Sequence, residues 1–175
     1  MWITTLLSIG ILFSFNGDDS DQIWRVVNDS VMGGVSTSSV NYEDGNLIFT
    51  GNVSLDNNGG FASIRTLPVQ MNLEDYTHVS LRVKGDGNKY SFRLWTSSRW
   101  DGASYVINFD TKENEWIEVD LPIGDFYPQF RGYQLRDYPR LDPSKIRQLG
   151  ILISDKQEGE FKIEVDWIKA SILAG

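Results

Sequence analysis

Residues 161–167 read Phe161-Lys162-Ile163-Glu164-Val165-Asp166-Trp167, so apolar and polar side chains alternate with a period of two. This period matches a β-strand, in which successive side chains point to opposite faces of a sheet. The apolar members predict a face packed on a core, and the charged members predict a face in contact with water or a partner. The stretch therefore predicts a half-buried strand.

The same alternation recurs in four other stretches, at residues 47–55, 79–84, 90–95 and 116–121. Turn-forming sequences whose Gly, Asn and Asp residues tolerate positive φ separate such stretches: Glu43-Asp44-Gly45-Asn46, Asn57-Asn58-Gly59-Gly60 and Gly85-Asp86-Gly87-Asn88. Short strands with this spacing predict an all-β sandwich or barrel. The best helix candidate is one or two turns at Asp142-Pro143, with Asp142 as the N-cap.

One domain accounts for residues 1–175, because no linker divides the chain and its length suffices for one core. The longest irregular stretch runs from Pro122 to Pro143. The apolar N-terminus is too short to span a bilayer as a helix, and it lacks the basic residue and cleavage site of a signal peptide. We expect a first buried strand from Ile11 to Phe15, and residues 1–10 remain a candidate leader or N-terminal extension.

Composition argues against several classes of function. The net charge is −8 and no basic run occurs, so nucleic acid is not an expected partner. The chain has no Cys and one His, His78, which excludes disulfides, thiolate chemistry and a histidine-rich metal site. No nucleophile-elbow or phosphate-binding glycine motif occurs. We therefore expect a protein without enzymatic activity, cofactor or membrane span. We also expect a monomer. The sequence does not fix its cellular compartment, but we favour the cytoplasm over export.

A series of motifs occurs in a fixed order along the chain. The first is Trp24-Arg25-Val26-Val27-Asn28-Asp29-Ser30-Val31-Met32-Gly33-Gly34-Val35-Ser36. It is followed by Asn57-Asn58-Gly59-Gly60-Phe61-Ala62-Ser63-Ile64-Arg65, Gly85-Asp86-Gly87-Asn88-Lys89-Tyr90, Leu121-Pro122, Asp125-Phe126, Leu149-Gly150-Ile151, Asp155-Lys156 and Gly159-Glu160-Phe161. From about Ile11 onward, the sequence resembles the complex I intermediate-associated protein family.

The resemblance implies a jelly-roll sandwich of two antiparallel sheets, of the galactose-binding-like type found in carbohydrate-binding modules. It also implies an assembly role, since mitochondrial members of the family are chaperones for respiratory complex I (NADH:ubiquinone oxidoreductase). This chain has no long extension rich in Arg and Ser of the transit type. We therefore expect a bacterial member.

Arg65, Arg93 and Trp95 are the leading candidates for a binding site. By alternation, Arg65 lies in phase with Ser63, and Arg93 with Trp95, on the sheet face away from the core. We expect them to line one concave groove, with Tyr105 at its edge and with Asp29 and Asp155 as candidate internal partners of the arginines. Arginine forks bind hydroxyls or carboxylates, and an indole stacks on a sugar. The alternative is a solvated sheet face.

Two further features have a structural and a functional interpretation. Asp29 lies in a turn with Gly33-Gly34, where it can accept hydrogen bonds from loop amides, and we favour this structural role. Asp18, Asp19 and Asp21 follow the first predicted strand, and with Asp166 they are weak candidates for a Ca²⁺ site. They lack a full calcium-loop pattern, so we expect a solvated acidic turn and no metal.

The sequence thus predicts a non-catalytic binding module that acts as an assembly or interaction factor for a protein client. The alternative is a carbohydrate-binding domain that recognises a glycan on the concave sheet face. A glycan-active enzyme is a third hypothesis, because paired carboxylates leave no spacing rule in a sequence. Exposed aromatic rings beside Arg would favour a sugar, whereas an apolar patch rimmed by loops would favour a protein.

Overall fold

Alternating side chains build two antiparallel sheets in the computed structural model, which describes residues 9–15 and 23–173. The strands are β1 (Ile9–Ser14), β2 (Trp24–Val26), β3 (Thr37–Glu43), β4 (Asn46–Val53), β5 (Ala62–Thr66), β6 (His78–Lys84), β7 (Lys89–Trp95), β8 (Ser104–Asp110), β9 (Trp116–Pro122), β10 (Tyr127–Phe130), β11 (Tyr133–Gln134), β12 (Gln148–Ile153) and β13 (Gly159–Ser171). Short 3-10 turns lie between them, and one of these is the helix candidate predicted at Asp142: Pro143–Lys145, with Asp142 Oδ1 accepting from Ser144 N at 3.1 Å.

Sheet one has the order β3-β4-β13-β6-β9, and β1 also pairs with β13. Residues 159–165 of β13 pair with β4, and its later residues pair with β1. Sheet two has the order β11-β10-β8-β7-β12-β5-β2. All these strand pairs are antiparallel, so the predicted all-β sandwich is confirmed.

A single hydrophobic core lies between the sheets and follows the predicted alternation. Tyr90, Phe92 and Leu94 of β7 are buried in it, and sheet one contributes the ring pair Phe49 and Phe161, whose centroids are 4.8 Å apart. Burial of such large side chains is the main stabilising contribution in a sandwich of this kind. Within the described ranges, no helix is long and apolar enough to cross a bilayer.

The alternation predicted for residues 161–167 is wrong at its end. The register of β13 against β6 shifts between Val165 and Trp167, which is a β-bulge. An extra residue reverses the phase of the strand, so Ile168 is buried and Trp167 is partly exposed. Lys169 Nζ lies 3.9 Å from the centre of the Trp167 ring on the outer face.

The stretch from Pro122 to Pro143 is more regular than predicted. It contains β10, which pairs with β8, and the two-residue strand β11, which pairs with β10. The period-2 signal is short here because β10 has four residues, one of them Pro128. This segment therefore extends sheet two and forms part of its outer face.

The predicted first strand is present, but it begins earlier than expected. Strand β1 begins at Ile9, and Phe13 and Phe15 are buried against Trp24, whereas Ile11 is exposed. Most of the candidate leader, residues 1–8, lies outside the described residues, so the leader remains a prediction.

Candidate functional site

A groove with a volume of about 760 Å³ lies on the outer face of sheet two. In its floor Arg65, Gly150 and Arg93 occupy one row across the adjacent strands β5, β12 and β7. The arginines point away from the core because Ile64 and Leu94 point into it. The residues from the predicted binding face that line the groove are Arg65, Arg93, Trp95, Asp29 and Asp155.

Arg65 is buried, with 6% of its surface exposed, and its terminal nitrogens donate three hydrogen bonds to protein oxygens. Nη1 donates to Trp100 O at 2.9 Å, and Nη2 donates to Arg99 O at 3.2 Å and to Gln148 Oε1. Burial lowers the pKa of Arg65 to about 10, so it stays protonated at neutral pH. The side chain therefore fastens the loop of residues 96–103 to the sheet.

Trp95 is covered by Arg65 rather than open to a ligand. The guanidinium carbon of Arg65 lies 3.9 Å from the centre of the Trp95 ring, and Trp95 is only 8% exposed. The six-membered ring of the indole also lies close to Gly150, where an added Cβ would be 2.9 Å from Cη2 and Cζ3 of Trp95. The stacking on a sugar expected for Trp95 is thus obstructed, because Arg65 covers the ring and the side chain is buried.

Arg93 retains contact with the groove and has neutral partners. Nη2 donates to Gln129 Oε1 at 2.8 Å, and Nη1 donates to Ser104 Oγ at 3.4 Å. Burial lowers the pKa of Arg93 to about 10, against the opposing effects of Tyr127 and Asp155. The expected ion pair with a carboxylate is not formed among the described residues, because Asp155 acts on Arg93 only from a distance.

Asp29 is buried at one end of the groove, where it organises two loops. Its carboxylate accepts from Ser36 N at 3.0 Å, from Gly60 N at 2.7 Å, from Phe61 N at 3.4 Å and from the Ser36 hydroxyl. Burial raises the pKa of Asp29, but these hydrogen bonds together outweigh it and hold the pKa below its ordinary value. An added Cβ at Gly34 would clash with Asp29, which explains the glycine there.

Tyr105 does not lie at the edge of the groove, contrary to the prediction. It pairs with Leu94 across β7 and β8, so its ring belongs to the core. Its hydroxyl donates to Pro139 O at 2.9 Å. The sequence carried a signal for this, because Tyr105, Ile107 and Phe109 alternate in phase, as core-facing residues of a strand do.

The structure gives Asp166 a different role from metal binding. Asp166 Oδ2 accepts from Arg82 Nη1 at 2.6 Å in an ion pair on the outer face of sheet one. Asp18, Asp19 and Asp21 lie outside the described residues. Within residues 9–15 and 23–173, no cluster of three or more acidic or His side chains is arranged to hold a metal ion.

His78 lies at the start of β6 and is not part of the groove lining. Its Nδ1 lies 2.7 Å from the hydroxyl of Thr77, the residue before it. A serine nucleophile would need a histidine base held by a carboxylate, and His78 has no such partner among its hydrogen bonds in the described chain. His78 thus fits its predicted role as a strand-edge residue.

The rim of the groove contains exposed apolar side chains that sequence reasoning missed. Val31 and Met32 lie in the 3-10 turn Asp29–Met32 after β2, and Phe130 ends β10 on the other side of sheet two. Trp100, from the β7–β8 loop, is 51% exposed. A tryptophan within the polar sequence Ser97-Ser98-Arg99-Trp100-Asp101-Gly102 was the available signal, since a large apolar residue in a polar loop needs a packing or binding role.

Comparison with known proteins finds a family profile described as Complex I intermediate-associated protein 30 (CIA30), which matches residues 13–165. A relative from Schizosaccharomyces pombe, described as an uncharacterized protein, is 31% identical over 91% of this chain and 83% of its own. A relative from Caenorhabditis briggsae, described as "Probable complex I intermediate-associated protein 30, mitochondrial", is 28% identical over 89% of this chain and 52% of its own. The chain thus spans about half the length of the nematode relative. Both relatives are eukaryotic, so the bacterial origin gains no support from them.

Among solved structures, the fold is similar to the family 11 carbohydrate-binding module of Clostridium thermocellum. The TM-score is 0.73 at 18% sequence identity, over 96% of both chains. A second structure of that module contains a β-1,3-1,4-mixed-linked tetrasaccharide and gives a TM-score of 0.71 at 19% identity, over 95% of this chain and 96% of the module. At this identity the likeness shows a shared β-sandwich fold.

Proposed function

Since this chain belongs to the complex I intermediate-associated protein 30 family, we propose that it is a non-catalytic binding module that holds a protein client during assembly of respiratory complex I. The name of the nematode relative supports the assembly role. The groove of sheet two is the proposed client site. We expect the chain to act there as a monomer.

The observation that carries the proposal is the composition of the rim of the groove. Val31, Met32, Phe130 and Trp100 are exposed apolar side chains around a polar floor that contains Arg93. Methionine, aromatic residues and arginine are enriched at protein–protein interfaces. A surface of this kind suits a polypeptide partner.

Deletion of the gene in its native host tests the assembly role. We expect less fully assembled complex I and an accumulation of its subcomplexes, measured by native gel electrophoresis and in-gel NADH dehydrogenase activity. Re-expression of the wild-type chain should restore the complex. A variant with Val31→Ser and Met32→Ser should restore it poorly, and the matched change Leu67→Ser, at an exposed residue outside the groove, should restore it fully. Normal complex I in the deletion strain would contradict the proposal.

A glycan is a second candidate ligand for the same groove. The half-exposed indole of Trp100 could stack on a sugar, and the neutral side chains of Ser104, Asn108 and Gln129 could bind hydroxyl groups. Calorimetric titration with the β-1,3-1,4-mixed-linked tetrasaccharide separates the candidates. Binding that is lost in Trp100→Ala would favour the glycan, whereas no heat of binding at millimolar sugar would favour the protein client.

A further inference from the structure

Arg93 has more unused hydrogen-bonding capacity at its terminal nitrogens than Arg65 has. The terminal nitrogens of Arg65 make three hydrogen bonds, and its guanidinium lies 3.9 Å and 4.8 Å from the centres of the Trp95 and Trp100 rings. Arg93 makes one hydrogen bond from each terminal nitrogen, and the bond to Ser104 is long at 3.4 Å. A guanidinium has two N–H groups on each terminal nitrogen, so one on each remains for a ligand.

The charges that line the groove leave Arg93 without a contacting counter-ion. Three arginines and three aspartates line it: Arg65, Arg93, Arg131, Asp29, Asp101 and Asp155. The carboxylate of Asp29 already accepts hydrogen bonds from loop amides, and Asp101 Oδ1 lies 3.6 Å from Arg99 Nε in an ion pair. Asp155 is exposed and forms no ion pair with Arg93 among the described residues. A partly buried charge with only neutral contacts is costly, and an anionic ligand would offset that cost.

The shape of the unused donors selects the kind of anion. Two parallel N–H groups of a guanidinium match the two oxygens of a carboxylate in a bidentate pair. Around Arg93 the rim residues Val31, Met32 and Phe130 can pack against the apolar side chains that flank an acidic residue in a polypeptide. Flexible methionine side chains suit such surfaces.

We infer that Arg93 is the recognition point for a carboxylate on the client, so that the groove takes an extended protein segment with an acidic side chain between apolar ones. This inference rests on the proposed function and specifies the chemistry of its site. Gln129 and Ser104 act as positioning residues, because their oxygens hold the guanidinium in place. Free anions and acidic glycans are the alternative occupants.

Two capped five-residue peptides test the inference on the intact wild-type protein. One has a central glutamate flanked by valine and leucine residues, and the other has glutamine in its place. We expect the glutamate peptide to bind about tenfold to a hundredfold more tightly by calorimetry, as charge-assisted hydrogen bonds differ from neutral ones. The glutamate peptide should also shift the side-chain N–H signals of Arg93 in an NMR spectrum. If Arg93 had only a structural role, these signals would not shift.

Arg93→Gln should reduce the affinity for the glutamate peptide to that for the glutamine peptide. The matched control is Arg136→Gln, which removes the same charge at an exposed residue outside the groove lining and should bind like the wild type. Melting curves check that the variants are folded. If Arg93→Gln does not fold, the comparison of the two peptides on the wild-type protein still tests the inference.

Equal affinity for the two peptides, or no binding of either, would overturn the inference. So would inorganic phosphate that displaces the glutamate peptide at low millimolar concentration, since the site would then bind free anions. Binding of galacturonic acid oligomers in preference to the peptide would assign the site to acidic glycans. If these tests fail while gene deletion still depletes complex I, the assembly role stands and only the carboxylate chemistry is wrong.

Discussion

At the residue scale, neighbours decide what two identical side chains do. Arg65 and Arg93 lie in one row on either side of Gly150 and have similarly lowered pKa values of about 10. Arg65 meets two backbone carbonyls, an amide oxygen and two indoles, so it is part of the framework. Arg93 contacts two neutral side-chain oxygens and lines the groove, where we propose that it binds a ligand.

Arg65→Lys should destabilise the protein by about 2–4 kcal/mol, because an ammonium group cannot reach all three acceptors and leaves the buried Gln148 Oε1 or a partly buried loop carbonyl unsatisfied. Urea unfolding followed by circular dichroism measures this change. The loop of residues 96–103 should loosen as well, which limited proteolysis reports. Arg99→Lys is the matched control, since that side chain is 78% exposed and should cost little. Equal stability of the two variants would show that Arg65 does not hold the loop.

At the element scale, strand alternation predicted which face each side chain occupies, and it failed where a strand changes phase. It placed Arg65 and Arg93 on one face because β5 and β7 are uninterrupted. It misplaced Trp167 because the bulge in β13 depends on the register of the partner strand β6, which the local sequence does not encode. The contacts of Trp100 were also beyond prediction, since the β7–β8 loop is held by hydrogen bonds from Arg65, a residue distant in sequence, to the loop's own carbonyl oxygens.

Gly150→Ala tests how closely strand β12 packs against the groove. An added Cβ would lie 2.8 Å from Ile64 O and 2.9 Å from the Trp95 ring, so either the strand backbone or the indole of Trp95 must move. We expect a loss of about 1–3 kcal/mol, as for other overpacked sites. A changed tryptophan emission spectrum should report displacement of Trp95. Gly124→Ala, where an added Cβ meets nothing within 4 Å, should leave both properties unchanged. If Gly150→Ala left the free energy of unfolding unchanged, β12 would be free to shift.

At the scale of the whole molecule, ionisable groups link stability to pH. Burial, the charge of Asp86 and a hydrogen bond to it raise the pKa of the Tyr90 phenol above its ordinary value. The folded chain therefore keeps a proton that the unfolded chain releases near pH 10. The stabilisation from Tyr90 is complete below that pH and is lost as the pH rises towards the raised value.

Tyr90→Phe should therefore flatten the dependence of stability on pH between about pH 9 and 11. Urea midpoints measured at several pH values for the wild type and the variant check this. The wild type should lose more stability than the variant over this interval, whatever their difference at neutral pH. Tyr133→Phe, at a tyrosine that is 78% exposed, is the control and should follow the wild-type curve. Parallel curves for all three proteins would exclude Tyr90 as the linked group.

The order of strands has a consequence for synthesis on the ribosome. Strand β12 lies between β5 and β7, and β13 lies between β6 on one side and β4 and β1 on the other. A nascent chain that ends before residue 148 therefore has no bridge in either sheet, and the inner edges of these strands remain unpaired. Open edges of this kind invite pairing with other chains. We therefore expect the two sheets to be completed only after residues 148–171 have been translated, with the open strand edges exposed to aggregation until then.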